Sequence, residues 1–104
     1  MPEADQLQAL RSRYLQLTNQ VLPEAAKTRQ FSVRFNHCFQ RIILDNLFQT
    51  CWYEVLEKGK TPAYQQLSKS QLEAAIAIAN SVLEQPDEYL TALNRKSLHW
   101  RGHD

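Results

Sequence analysis

The segment from residue 33 to residue 48 carries the polar side chains best placed for chemistry. If it is one α-helix, a rotation of 100° per residue puts Arg34, His37, Arg41 and Asp45 in one narrow stripe, with apolar side chains around the rest of the helix. A helix this apolar normally lies at the centre of a domain, so we expect the stripe to be partly buried. Burying an arginine is unfavourable unless it is paired or faces a ligand, and Asp45 can neutralise only one of the two arginines.

Two interpretations of this stripe stay open. In the first, Arg34 and Arg41 pair with carboxylates elsewhere, such as Glu54 or Glu57, or reach water, so that their role is structural. In the second, the planar guanidinium groups grip an anionic or carbonyl-bearing ligand, and His37 serves as a possible acid or base. The second interpretation predicts a small-molecule binding protein or an enzyme.

Two large aromatic residues follow the stripe and suit either the wall of a pocket or the hydrophobic core. His37 and Cys38 are neighbours in the sequence, but adjacent helical side chains point about 100° apart, so we predict no nucleophile and base pair. No catalytic residue is assigned. The ligand-binding candidates are Arg34, His37, Arg41, Asp45, Trp52 and Tyr53.

The C-terminal segment combines positive charge with an indole ring, a combination that can bind nucleic acid. Three cations are few for useful affinity, and residues 70–94 just before them hold four acidic residues and no Lys or Arg. The alternative is that Leu98 and Trp100 dock the tail while its basic residues favour the end of a helix. Nucleic-acid binding is therefore a weak hypothesis, with Arg95, Lys96, Trp100 and Arg101 as its candidates.

Metal and cofactor sites are not predicted. The two cysteines, Cys38 and Cys51, lie in apolar segments and form no C-x-x-C motif, so we expect them to be reduced. His99 and His103 are four residues apart, but Gly102 lies between them and no further ligand is near. With only two glycines, the chain has none of the glycine-rich motifs that cradle phosphate.

Composition limits the class of protein. The chain has 104 residues, a formal net charge of +1, 43% hydrophobic residues and two glycines, which favours one small helical domain over a β-rich or disordered chain. The pI of about 7.8 is below that of a typical nucleic-acid binder. No apolar run is long enough to span a bilayer, and the N-terminus is polar, which predicts a cytoplasmic protein without membrane contact.

Periodic apolar residues predict helices on both sides of the central segment. Residues 7–21 form an amphipathic first helix, and a bend is expected near Pro23, which starts a second helix or a kinked continuation. Ser32 is the expected N-cap of a central helix that runs from Val33 to about Phe48. Residues 51–59 continue that helix or restart it, and Gly59 ends it.

The last two helices have clear start signals. Ser68 and Gln71 form a capping box, and Pro86 stands at the first position of the final helix, which ends around Gly102. The predicted fold class is all-α: a single compact domain over residues 1–104, with four to six helices in an orthogonal or irregular bundle. Pro23, Gly59 and Pro86 are expected near its corners.

Several segments together resemble a group of small bacterial proteins, mostly uncharacterised. These segments are VRFNHCFQRIILDN, WYEVL, PAYQQLSKSQLEAA and LNRKSLHWRG, and the resemblance covers most of the chain after Arg13. Some members are labelled as GNAT-type N-acetyltransferases, which implies a mixed α/β fold and a Q/R-x-x-G-x-G/A turn that holds the pyrophosphate of acetyl-coenzyme A. No segment of this sequence matches that turn, so no catalytic residue is carried over.

The leading hypothesis from the sequence is a cytoplasmic interaction or regulatory module that binds another protein or a second copy of itself. The heptad-like first helix is the expected interface, because dimerisation would bury it more fully. The two alternatives are the ligand pocket on the central stripe and weak nucleic-acid binding by the C-terminal segment.

Overall fold

The computed structural model describes residues 3–31 and 33–102, and within them the regular structure is entirely helical. This confirms the all-α prediction of four to six helices. The Cα radius of gyration is 13.4 Å, as expected of a compact domain of this length. The five α-helices of the described part are α1 (Glu3–Gln16), α2 (Leu22–Arg29), α3 (Asn36–Phe48), α4 (Lys69–Glu84) and α5 (Asp87–Trp100).

Pro23 does not interrupt the first helical run. A π-helical segment, Leu17–Val21, joins α1 directly to α2, and the Leu22 amide donates to the Leu17 carbonyl five residues earlier. Proline lacks an N–H, and its ring crowds the carbonyl four residues before it. The wider π turn accommodates this defect, so the second of the two predicted alternatives, a continuation, is the one observed.

The central helix begins later than the sequence predicts. Phe35 has extended backbone angles (φ −103°, ψ 150°) and is 65% exposed, so residues 33–35 lie outside α3. The Asn36 side chain accepts a hydrogen bond from the His37 amide at 2.9 Å and so satisfies one donor of the first turn. The prediction that the helix starts at Val33 is wrong for this reason, and Ser32, its expected N-cap, lies outside the described residues.

The central helix ends at Phe48, as the sequence predicts. Gln49 adopts a left-handed conformation (φ 58°, ψ 37°) and donates its amide to the Asp45 carbonyl, which closes the last turn of α3. A separate 3₁₀ turn, Trp52–Glu54, follows, and a second, Ala63–Gln66, precedes α4. The chain therefore restarts after α3, and Gly59 (φ 93°) lies in the irregular segment between the two turns.

The start signal of α4 is confirmed, and α5 begins one residue later than its signal predicts. Ser68 and Gln71 exchange both hydrogen bonds of a capping box at the start of α4. Pro86 is the N-cap of α5 and not its first helical residue, because its ψ of 161° is extended. Gly102 (φ 78°) follows Arg101, the C-cap of α5.

The core forms where α3 packs against α4 and α5 and where α1 packs against α4. Phe39, Ile42, Ile43 and Leu44 of α3 are buried, and so are Leu72, Ala75, Ala79 and Val82 of α4. Tyr14 of α1 is also buried in this core. No helix in the described ranges is long and apolar enough to cross a membrane.

Candidate functional site

Asp45 is a fully buried carboxylate near the C-terminal end of α3. Arg101 donates to it from Nε (2.6 Å to Oδ2) and from Nη2 (3.1 Å to Oδ1). The Ser97 hydroxyl donates to Oδ2 at 2.7 Å, and the backbone N–H of Trp52 donates to Oδ1 at 2.9 Å. Each carboxylate oxygen thus accepts two hydrogen bonds, and Asp45 joins α3, the 3₁₀ turn after it and the end of α5.

Arg101 closes this network from the C-cap of α5. Its guanidinium carbon also lies 4.7 Å from the centre of the Tyr53 ring, in a cation–π contact. The hydrogen bonds to Asp45 raise the pKa of Arg101, and the Tyr53 side chain adds to this against an opposing effect of desolvation. Arg101 therefore stays charged, and its charge is balanced by Asp45.

Arg41 lies beside this pair but has a different set of partners. Its Nη1 donates to the Ser97 hydroxyl at 2.7 Å, and its Nη2 donates to the Asn94 side-chain oxygen at 2.9 Å. Both acceptors are neutral, and within the part of the chain that is described no carboxylate lies within 4 Å of Arg41. The cluster of Arg41, Arg101 and Asp45 thus has an excess of one positive charge.

A cavity of about 340 Å³ opens next to these two arginines, and we call it the Arg41 cavity. Four of its residues come from α3 at spacings of three and four, which is the spacing of side chains on one helical face. The 3₁₀ turns and the C-cap of α5 supply the rest. The lining residues are His37, Gln40, Arg41, Leu44, Trp52, Tyr53, Pro62, Ala63, Tyr64 and Arg101.

The structure brings together four of the six ligand-binding candidates, namely His37, Arg41, Trp52 and Tyr53. Arg34 is exposed and does not line the cavity, because it precedes α3 and is therefore not on the helical stripe. Asp45 does not line the cavity either. It lies behind the wall, where it balances Arg101.

Six of the ten lining residues are not among the ligand-binding candidates, and the most important of these six are Arg101 and Tyr64. Arg101 belongs by sequence to the basic C-terminal segment, and no local pattern indicates that it contacts an acid 56 residues earlier. An indirect sign was available, since Asp45 on a largely apolar helix needs a cation. Tyr64 lies in the 3₁₀ turn before α4, where its ring stacks on that of Tyr14 with centroids 6.4 Å apart.

His37 is held by a ring contact and has no carboxylate partner among the described residues. Its imidazole stacks on the Phe35 ring with centroids 5.7 Å apart and planes 4° apart. Asp45 does not bond to His37, because Arg101, Ser97 and Trp52 occupy both of its carboxylate oxygens. Cys38 and Cys51 are free thiols. No group of three metal-binding side chains occurs in the described ranges.

A second concave surface runs along α5, and we call it the α5 groove. It is open, with a volume of about 950 Å³, and is lined by Asn46, Gln49, Thr91, Asn94, Arg95, Lys96, Leu98, His99 and Trp100. Three of the four nucleic-acid candidates lie here, whereas Arg101 lines the Arg41 cavity. The C-terminal basic segment is therefore divided between two surfaces.

Comparison with models of protein families, with curated proteins and with solved structures finds no match for this chain. The resemblance to small bacterial proteins accordingly stays a prediction. The described residues contain no strand, so they do not form the mixed α/β fold that the acetyltransferase label implies. The geometry of the site is the basis for any functional conclusion.

Proposed function

We propose that this protein binds a small organic anion in the Arg41 cavity. The observation that supports this most strongly is the pairing of Arg41, which lines a cavity and has only neutral hydrogen-bond partners. A partly buried guanidinium without a counter-charge is unfavourable, and an anion in the cavity would supply that charge.

The side chain of Arg41 is also held in position for such a ligand. Ser97 and Asn94 fix its two terminal nitrogens, while Nε has no partner among the described residues and is not enclosed. An arginine has five N–H donors, so donors remain for the ligand. Because the guanidinium is already oriented, little side-chain entropy is lost when an anion binds.

Binding is favoured over catalysis by the residues around the cavity. Cys38 is adjacent to His37 in α3, but it does not line the cavity. The lining residues offer no nucleophile with a base in hydrogen-bond contact, which covalent catalysis requires. The proposed activity is therefore that of a binding protein, with His37 at the rim of the site.

The test is calorimetric titration with acetate, benzoate and inorganic phosphate. At least one of these anions should bind with a Kd of about 1 mM or tighter, which corresponds to about 4 kcal/mol. Arg41→Met should weaken binding at least about tenfold, the usual result of removing one charged hydrogen-bond partner. Arg29→Met is the matched control, because Arg29 does not line the cavity and its replacement should leave binding unchanged. Binding that is equal in both variants would refute the proposal.

Association with a protein partner is the second candidate function, and the α5 groove favours it. Leu98 and Trp100 supply apolar surface beside the exposed cations Arg95 and Lys96. Such a surface suits an acidic, partly apolar partner. Self-association can be measured by sedimentation at several protein concentrations, and Trp100→Glu should abolish any dimer that uses the groove.

The first helix is less suited to that role than its sequence suggests. Tyr14 and Leu17 are buried within the chain, and Leu7 and Leu10 are half-buried. This apolar face packs on α4 of the same molecule. Dimerisation through α1 remains a prediction, and the same sedimentation experiment tests it with Leu7→Glu.

A further inference from the structure

We infer that the anion taken by the Arg41 cavity is a planar aromatic monocarboxylate. This inference rests on the proposed function and specifies the class of ligand. Three features of the cavity lead to it: its net charge, its lack of a phosphate cradle, and the rings that line it.

The charge of the site favours a monoanion. Of the two arginines that line the cavity, Arg101 is balanced by Asp45, whereas Arg41 has no counter-charge among the described residues. Lys58 lies 4.2 Å from the centre of the Tyr53 ring, but it is exposed to solvent, where its charge is screened. One partly buried excess charge matches one carboxylate, whereas a phosphate dianion would remain partly unbalanced.

The backbone around the cavity also favours carboxylate over phosphate. Phosphate sites commonly use several free amide N–H groups of a glycine-rich loop or of a helix start. Neither glycine of the chain lines the cavity. At the start of α3 the amides of His37 and Cys38 already donate to the Asn36 side chain and to the Phe35 carbonyl. The guanidinium fork of Arg41 instead suits the planar carboxylate group.

The remaining wall of the cavity is mostly aromatic and apolar, which suits a ligand with a ring. Trp52, Tyr53 and Tyr64 line it together with the apolar Leu44 and Pro62. Two of these rings have partners within the chain. The Trp52 ring packs edge-to-face with the Tyr53 ring, with centroids 4.7 Å apart, and the Tyr64 ring stacks on Tyr14. Aromatic walls of this kind favour stacked or edge-on contacts with an aromatic ligand.

The volume of the cavity limits the size of the ligand. At about 340 Å³ it is near the lower end of ligand sites, which span roughly 300–1,000 Å³. One ring with one short acidic group fits this space. A nucleotide or a coenzyme would extend far outside it.

The experiment compares four probes by calorimetry on the unmodified protein: benzoate, benzamide, cyclohexanecarboxylate and inorganic phosphate. Benzoate should bind most tightly. Benzamide, which has the ring without the charge, should bind at least about tenfold more weakly. Cyclohexanecarboxylate, which has the charge without the aromatic ring, should bind about fivefold more weakly. Trp52→Leu should remove most of the preference for benzoate over cyclohexanecarboxylate, while Trp100→Leu, in the α5 groove, should leave it unchanged.

The outcomes separate this inference from the proposed function. If phosphate or cyclohexanecarboxylate binds as tightly as benzoate, the site binds anions but the inferred ligand class is wrong. If benzamide binds as tightly as benzoate, charge is irrelevant and both proposals fail. If none of the anions binds, both also fail. Because the four probes are compared on the unmodified chain, the result does not depend on whether a variant folds.

Discussion

Two arginines of this small domain sit in comparable, partly buried positions but have different partners. Arg29, at the end of α2, forms an ion pair with Asp87 and donates to the carbonyls of Val82, Leu83 and Gln85. Arg41, in the middle of α3, donates to one hydroxyl and one amide oxygen. The first guanidinium is balanced by a carboxylate and by the negative end of α4, whereas the second has no counter-charge in the described chain.

The difference separates a structural arginine from a candidate binding arginine. Arg29 uses all three of its nitrogens to join α2 to the corner between α4 and α5, and it lines neither the Arg41 cavity nor the α5 groove. Arg41 borders a cavity and has an N–H to spare. The sequence offers no sign of this difference, because both residues are arginines near the polar edge of a helix.

The largest effect is expected from Asp45→Asn, which removes the charge that balances Arg101. Breaking a buried ion pair in this way typically costs about 3–5 kcal/mol, because the remaining charge is left uncompensated. The free energy of unfolding, measured with urea, should fall by that amount. The matched control is Asp87→Asn at the half-exposed Arg29 pair, which should cost about 1 kcal/mol or less. Equal losses in the two variants would contradict the distinction between a buried and an exposed pair.

An intermediate effect is expected when the two arginines are each replaced by methionine. Arg29→Met loses charged hydrogen bonds to three carbonyls and to Asp87, and it should lower the free energy of unfolding by about 2 kcal/mol. Arg41→Met loses two bonds but also removes an unbalanced charge, so the change should stay within about 1 kcal/mol. Urea unfolding measures both. If Arg41→Met lowers the free energy of unfolding more than Arg29→Met does, Arg41 is the structural arginine and the distinction between the two residues is wrong.

The smallest effect is expected at Tyr14. This residue tests whether a buried polar group without a hydrogen-bond partner is by itself evidence of a binding site. Its side chain is 1% exposed, its hydroxyl has no partner among the described residues, and it does not line the Arg41 cavity. Tyr14→Phe removes this unpaired hydroxyl and keeps the ring stacked on Tyr64. The free energy of unfolding should rise by about 1 kcal/mol, the lower end of the cost of an unsatisfied hydroxyl. Benzoate binding should not change.

The pH dependence of stability provides an independent readout of the same variant. Burial raises the pKa of Tyr14 well above its ordinary value of about 10. Above pH 10 the unfolded chain therefore loses a proton that the folded chain keeps, so stability should fall as pH rises beyond 10. Tyr14→Phe lacks this contribution and should lose less stability over the same range. Parallel pH profiles of the two proteins would show that the Tyr14 hydroxyl reaches water in the folded state.

The local features of the fold could be read from the sequence. The capping box of Ser68 and Gln71 involves residues three apart, so its signal lies within one turn. The same holds for His37 and Arg41, whose spacing of four places them on the side of α3 that borders the cavity. Arg34 is not on the stripe because α3 begins at Asn36, and a sequence defines the boundary of a helix less well than its periodic interior.

The sequence by itself determined an all-α chain, the helix starts at Ser68 and near Pro86, and the presence of more arginine than one buried aspartate can balance. Only the tertiary structure decided which arginine Asp45 holds, since its partner Arg101 is 56 residues away and no local pattern encodes that contact. The physical reason is that a charge on a helix has many possible partners until packing brings one of them within hydrogen-bond distance. In this protein packing selected Arg101 for Asp45 and left Arg41 beside a cavity.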